Sequence, residues 1–457
     1  MTGLDPLTSH AGGITDPLNG AGRRILVLSR AKIGERMASA GIRAYHIAGA
    51  LGRLLPGAEI TLAIPNIPED IPNPAPNVRV QQYGANGGAT ALARAHGVTI
   101  SRNFSPHFAR LMGSGTRFAL DGFTPFFIEW MELSQRDIHP RWRRTWMASN
   151  RWYINFQLTL ADFIFCADER QRDMWIGMLM ALALVPPDVY ERDPSLRRLI
   201  DVVPYGVSSK PLDTRGPVMK GVVPGIDPAD RVLLWNGGVT EWNDPFTLLR
   251  AMDHFARTRP EVKLVFMGAN HPDYVFGPNA GVLGSAIDTA RRMGLEGKNV
   301  FFLKGWVPYD RIDDYLAEAD LSVCLGYENL ESRFAFRTRY VDAFRARVPL
   351  LCTRGDVLAQ RVEEDPLGIA VPERDTDAVI AGVERLLDDA DFAARCRHNL
   401  ANISSELSWD LAVRPLARFC AGNDSYAMPP ERRRLQAFIR GGVYFGLKKL
   451  SRPVPAE

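Results

Sequence analysis

Short, continuous apolar runs alternate with amphipathic stretches along most of the chain. "RRILVLSR" (23–30) is apolar in the middle and polar at both ends, as expected of a parallel strand buried on both faces. "SAGIRAYHIAGALGRLLPG" (39–57) follows it. Ile42, Ala48, Leu51 and Leu55 fall on one helical face, Ser39 is placed to cap the helix, and Pro56-Gly57 stops it. "EITLAIP" (59–65) then completes a βαβ opening. The same pattern predicts strands at 97–101, 117–121, 163–167 and 200–207.

The second half repeats the rhythm more regularly. It predicts strands at 231–236, 262–268, 299–305, 319–325, 348–353 and 367–371. Helices are expected between them at Pro245–Arg257, Ala286–Met293, Arg337–Arg347 and Thr376–Leu387. Buried strands alternating with amphipathic helices define an α/β chain of doubly wound parallel sheets. At 457 residues the chain is too long for one core, so two Rossmann-like domains are expected. The boundaries read as a disordered tail over 1–22, an N-terminal domain over 23–208 and a Gly/Pro-rich linker over 209–228. A C-terminal domain over 229–410 and closing helices over 411–457 follow, and the two domains are expected to face a cleft.

Composition narrows the function. Net charge is +3, too small to make nucleic acid a partner, so any positive field must come from local clusters. The five cysteines are dispersed without a CxxC pair, which points to reduced, buried thiols rather than zinc. The acidic runs 375–377 and 388–391 sit where helix caps belong, so no metal site is expected. The longest apolar run, Trp175–Val185, is shorter than the roughly 20 residues that a membrane span needs, and a cytoplasmic protein is expected. Neither a dinucleotide fingerprint nor a P-loop is present.

Ligands of doubly wound sheets bind beyond the carboxyl ends of the strands. In the C-terminal half those ends carry Asn236-Gly237-Gly238, Gly268, Gly305-Trp306 and the stretch "NLESRFAFRTRYVDAF" (329–344). Arg333, Arg337 and Arg339 gather there at a helix start, where positive charge opposes the helix dipole. They either pair with Glu328, Glu331 and Asp342 or point to solvent, or they help free backbone amides hold a diphosphate. In the N-terminal half, Asp121 ends a strand and either orients an acceptor and takes its proton or caps a turn. Glu129 and Glu132 lie on the following helix.

Three segments resemble glycosyltransferase family 4, of the GT-B type: "VVPYGV" (202–207), "VDAFRARVPLLCT" (341–353) and "LGIAVPERDTDAVIAGVERLLDD" (367–389). The resemblance implies a retaining transferase that uses a nucleotide sugar as co-substrate, with no other cofactor and no metal. It implies donor binding in the C-terminal domain, by Gly237, Gly238, Asn243, Gly268, Glu331, Arg333, Arg337, Thr338, Arg339 and Asp342, with the base near Trp306 or Val307. Acceptor binding falls to the N-terminal domain, at Arg36, Gly41, Arg43, Asp121 and Glu129. The chain departs from the family pattern in three places. Phe334 stands at the first acidic position, Asn243 at the usual lysine and Arg347 at a usual glycine. Arg337 is then expected to replace the lost lysine in catalysis, and Glu331 to take part of the first acid's role. A scaffold that has lost turnover, or a nucleotide-sugar epimerase, also fits these departures.

The acceptor is expected to be a glycan or a lipid-linked sugar. "RWRRTWMASNRWY" (141–153) and "ERRRLQAFIRGGVYFGLKKLSR" (431–452) mix arginine with large apolar residues. The second has seven Lys or Arg and one Glu, which suits the anionic inner face of a cell membrane or a helix returning to the N-terminal domain.

Overall fold

The computed structural model describes residues 22–68, 71–85, 87–268, 281–422 and 430–450. The tail expected over 1–22 lies, apart from Gly22, outside the described residues. The chain divides into two compact units. The first runs to Gly34, resumes over Ser39–Pro204 and takes the chain again from Trp409. The second holds Glu35–Ala38 and Tyr205–Ser408.

Among the described residues the first unit has a seven-stranded sheet: β1 (Arg24–Leu28), β2 (Glu59–Ile64), β3 (Val78–Gln82), β4 (Val98–Ser101), β5 (Arg117–Asp121), β6 (Phe163–Cys166) and β7 (Ile200–Val202). The order is β3-β2-β1-β4-β5-β6-β7, and every pairing is parallel. The second unit has six parallel strands: β8 (Arg231–Asn236), β9 (Val262–Met267), β10 (Val300–Phe302), β11 (Leu321–Cys324), β12 (Leu350–Thr353) and β13 (Gly368–Val371). Their order is β10-β9-β8-β11-β12-β13. The order in which strands are added reverses at β1/β4 in the first sheet and at β8/β11 in the second, and these are the switch points where ligands of such sheets bind.

Every predicted strand is present. The strand that the pattern missed, β3 ("VRVQQ"), lies at a sheet edge with Arg79 and Gln82 exposed, so it carries no apolar run. The expected linker is a correction: 209–228 is fastened to the second unit. Asp213 N donates to Asp313 and Arg215 N to Asp314, while the backbone N–H groups of Val218, Met219 and Lys220 all reach the Glu318 carboxylate. Met219 and Ile226 are buried in a cluster with Val232 and Leu316. Glycine and proline here shape a packed loop rather than a flexible tether.

The closing helices belong to the first unit. The Pro430–Leu450 helix packs against the Pro140–Leu160 helix, and Arg433 is buried there on Asp162 Oδ1 at 2.8 Å and on the Ala161 carbonyl at 3.0 Å. Gly441 lets the same helix approach the Pro106–Leu111 turn: a Cβ there would stand 3.0 Å from Pro106 Cβ. None of the described helices is long and apolar enough to cross a membrane.

Candidate functional site

In the second unit the switch point is built from the ends of β8 and β11. Asn236 is a polar residue that follows the apolar run 232–235 at the end of β8, and its Nδ2 donates to Asp342 Oδ2 at 2.7 Å. Asp342 lies in the Thr338–Ala346 helix. Burial pushes its carboxyl up to about 6, against the opposing pull of Arg345 and the Asn236 bond. The loop after β8 is laced to the loop after β11. Asp244 N donates to the Leu325 carbonyl, and Tyr327 N to the Trp242 carbonyl. Gly326 has no room for a side chain, since a Cβ would lie 2.9 Å from the Trp242 oxygen.

Asn243 is part of this lacing. Its Oδ1 accepts from Thr240 N and Oγ1, both at 2.9 Å, and the residue is buried. That oxygen therefore closes its own turn. Asp244 then caps the Pro245–Thr258 helix through Thr247 N.

The arginines of the 329–344 stretch separate into three roles. Arg337 gives Nη1 to Glu331 Oε1 at 3.0 Å and Nη2 to Glu331 Oε2 at 2.6 Å, with Ser332 Oγ at 3.1 Å. Burial opposes the guanidinium charge, but Glu331 and the nearby Asp356 outweigh it and hold Arg337 above the usual arginine range. Two expectations are therefore corrected. Arg337 does not extend a free cation to replace the missing lysine, and Glu331 has both oxygens occupied instead of standing in for the first acid. Glu331 also pairs with Arg337 and not Arg333, which is exposed. Phe334 is half-buried.

Arg339 is the third case. Its Nη2 donates to the Gly238 carbonyl at 2.8 Å and its guanidinium lies 5.3 Å from the Trp235 ring centroid. Its Nη1 is shielded from solvent with no hydrogen-bond partner. Thr338 opens the same helix, half-buried. Gly237 adopts a left-handed φ of 94° beside it. Gly268 follows β9 and lies against Trp306, whose Nε1 donates to the Met37 carbonyl. Val307 is buried in the hydrophobic cluster around Met219 and Leu316, so its side chain offers no stacking surface for a base.

In the first unit, Asp121 ends β5 and is buried with Arg43 of the Ser39–Leu54 helix. Arg43 Nε donates to Asp121 Oδ2 at 2.9 Å and Nη2 to Oδ1 at 3.1 Å. Its remaining donors reach the Val203 and Pro204 carbonyls. This corrects two expectations: Asp121 is not a free base, and Arg43 is not available to an acceptor. Gly41 is buried in the same helix, and Glu129 is half-buried in the first turn of the Phe126–Asp137 helix. Arg36 is exposed, but its segment Glu35–Ala38 belongs to the second unit, where the Glu35 carbonyl accepts from Tyr309 N. The sequence places Asn236 at a strand end where ligands bind but gives it no role; its bond to Asp342 is what the tertiary structure adds.

Residues 222–402 match the family model of glycosyl transferases group 1. Among curated proteins none matches the chain in sequence. The fold has many solved counterparts. Sucrose-phosphate synthase from Thermosynechococcus elongatus is similar at a TM-score of 0.60, with 15% identity over 87% of this chain and 98% of that one. HepE of Anabaena in complex with UDP and glucose is similar at 0.58, with 14% identity over 87% and 98%. WaaG, a glycosyltransferase involved in lipopolysaccharide biosynthesis, is similar at 0.55, with 13% identity over 87% and 99%. Together the two parallel-sheet units have the GT-B glycosyltransferase fold, and the second unit carries the group 1 match.

Proposed function

We propose that the protein is a retaining glycosyltransferase of family 4 that moves a sugar from a nucleotide-sugar donor to a glycan or lipid-linked acceptor without a metal ion. The observation that carries this reading is the meeting of Asn236, Asp342 and Arg339 at the β8/β11 switch point, inside the segment that matches the family model. Ribose hydroxyls donate to the Asp342 carboxylate, which Asn236 orients. The diphosphate lies against the free amides that open the Thr338–Ala346 helix, with Arg339 as its cation and the Gly237-Gly238 turn alongside. Arg337 serves this site indirectly: its bond to Glu331 fixes the turn that starts the helix. The base lies toward Trp306 and Gly268.

Stabilising the departing diphosphate is the main catalytic term in such a transfer. Retention accompanies the family resemblance. The HepE structure holds UDP and glucose, which favours UDP as the carrier here. The Pro430–Leu450 helix supports a peripheral site on an anionic cytoplasmic membrane face. It exposes Leu435, Phe438, Ile439 and Phe445 together with Arg434, Lys448 and Lys449.

A thermal-shift screen of UDP, GDP, ADP, TDP and their sugars, with and without EDTA, tests the reading. A ligand at 100 times its Kd stabilises by about 2.7 kcal/mol. A shift with one base that survives EDTA supports the metal-independent transferase. No shift with any nucleotide overturns it.

A further inference from the structure

Asp342 and Arg345 lie three residues apart in the Thr338–Ala346 helix, so their side chains share one face. Asp342 gives Oδ2 to Asn236, and no group among the described residues bonds to its Oδ1. A cation in the last turn of a helix ordinarily complements the dipole and extends into water. Arg345 is instead forked onto Asp313 of the Ile312–Glu318 helix, with Nη1 on Oδ1 at 2.6 Å and Nη2 on Oδ2 at 2.7 Å. Asp313 is itself fixed, since Oδ2 also accepts from Asp213 N at 2.9 Å. Arg345 Nε is shielded from solvent and has no hydrogen-bond partner. The guanidinium is therefore a fixed charge held beside Asp342.

The forked pair acts on Asp342 as a dipole. Burial favours the protonated carboxyl, and Arg345 is the strongest of the groups that oppose it. Asn236 adds a hydrogen bond, Arg339 adds a weaker pull, and Asp313 pushes the other way. Arg345 outweighs Asp313, so the positive end of the dipole is the nearer one. The state of Asp342 matters to a ligand that brings hydroxyls. A carboxylate only accepts, through both oxygens, whereas a protonated carboxyl has one oxygen committed as a donor.

We propose that Arg345 is a positioning residue for the nucleotide-sugar donor: locked on Asp313, it holds Asp342 as a carboxylate that accepts from the ribose hydroxyls. The hydroxyls rest on the transferase reading; the grip of Arg345 on Asp342 does not.

The test is calorimetric titration of the full chain with UDP-glucose and with inorganic diphosphate, from pH 5 to 8.5. In the wild type UDP-glucose affinity should rise with a midpoint near 6. R345Q removes the cation, so its midpoint should move up by about one pH unit. Its UDP-glucose affinity is then about fivefold weaker than the wild type at pH 6 and equal to it at pH 8.5. R345K keeps the charge and should stay near the wild-type midpoint. Inorganic diphosphate, which has no ribose, should bind all three alike at each pH. The inference falls if R345Q keeps the wild-type midpoint, if R345K shifts as far as R345Q, or if R345Q loses both ligands equally at every pH, which is the mark of a merely structural residue. R345Q/D313N strands no carboxylate and decides the matter if R345Q melts early: its midpoint should still move up, by less. A second arm needs no ligand. It reads the Asp342 midpoint from urea stability against pH, as wild type minus D342N and as R345Q minus R345Q/D342N, and the second should lie higher. A wild type that binds no UDP-glucose removes the transferase reading; the ligand-free midpoints then decide the grip of Arg345 on Asp342 by themselves.

Discussion

Each unit buries a bidentate arginine–carboxylate pair beside the carboxyl ends of its strands, and the two pairs do different work. Arg43–Asp121 joins residues 78 positions apart and also ties the Ser39–Leu54 helix to the chain leaving β7. It is a strut across the sheet, with side chains 1% and 6% exposed. Arg337–Glu331 joins residues six positions apart and shapes one turn. The local pair leaves Arg339 directed at Gly238; the long-range pair leaves Arg30 and Arg102 around a cavity. In both pairs the arginine is a brace, and the guanidinium groups with no carboxylate partner among the described residues belong to its neighbours.

The sharpest way to break this comparison is to remove the carboxylates. Asp121→Ala strands a deeply buried guanidinium and is expected to cost about 3–5 kcal/mol in urea unfolding of the first unit. Glu331→Ala is expected to cost less, about 1–3 kcal/mol, because Arg337 keeps Ser332 and the nearby Asp356. Equal losses would erase the distinction between strut and local brace.

Ligand affinity separates brace from cation in the second unit. Arg339→Ala is expected to weaken UDP binding by about 1.5–3 kcal/mol while leaving the melting temperature near that of the wild type. Arg337→Ala is expected to lower the melting temperature. A stable Arg337→Ala protein that alone loses UDP would return Arg337 to the diphosphate.

Asp342 gives a pH test. Its folded carboxyl is raised to about 6, so between its unfolded range and pH 6 the folded state holds the extra proton. Its contribution to stability therefore falls as pH rises through that window, and Asp342→Asn removes the slope. Ligand hydroxyls that donate to the carboxylate favour its ionised form, so the affinity for a UDP-sugar, whose esterified diphosphate has no proton titrating there, should rise from pH 5 to 7 in the wild type and stay flat in the variant. A flat wild-type profile would remove Asp342 from the ribose.

The smallest expected effect concerns Arg347, which ends the Thr338–Ala346 helix in a left-handed conformation with φ 56°. Arginine there carries strain of about 1–2 kcal/mol that glycine lacks. Glycine's greater unfolded-state freedom offsets roughly half, so Arg347→Gly should stabilise by about 0.5–1 kcal/mol in the same urea measurement.

What the sequence determined by itself was the architecture. The strand segments 25–28 and 232–235 are buried on both faces, and that burial requires an unbroken apolar run that any reader of the chain can see. Helix starts were legible for the same reason: Asp244 and Asp375 cap through bonds three residues away. An edge strand needs no apolar run, so Val78–Gln82 was invisible. The packing of 209–228 was hidden too, because its partners Asp313, Asp314 and Glu318 lie about 100 residues further on. The arginines mark the same limit. Composition supplies the positive charge, but one guanidinium looks like another in a sequence. Only the tertiary structure decided that Arg43 and Arg337 are spent on buried carboxylates while Arg30, Arg102 and Arg339 keep donors to offer. Ion pairing depends on distances of about 3 Å between groups whose spacing along the chain carries no such information.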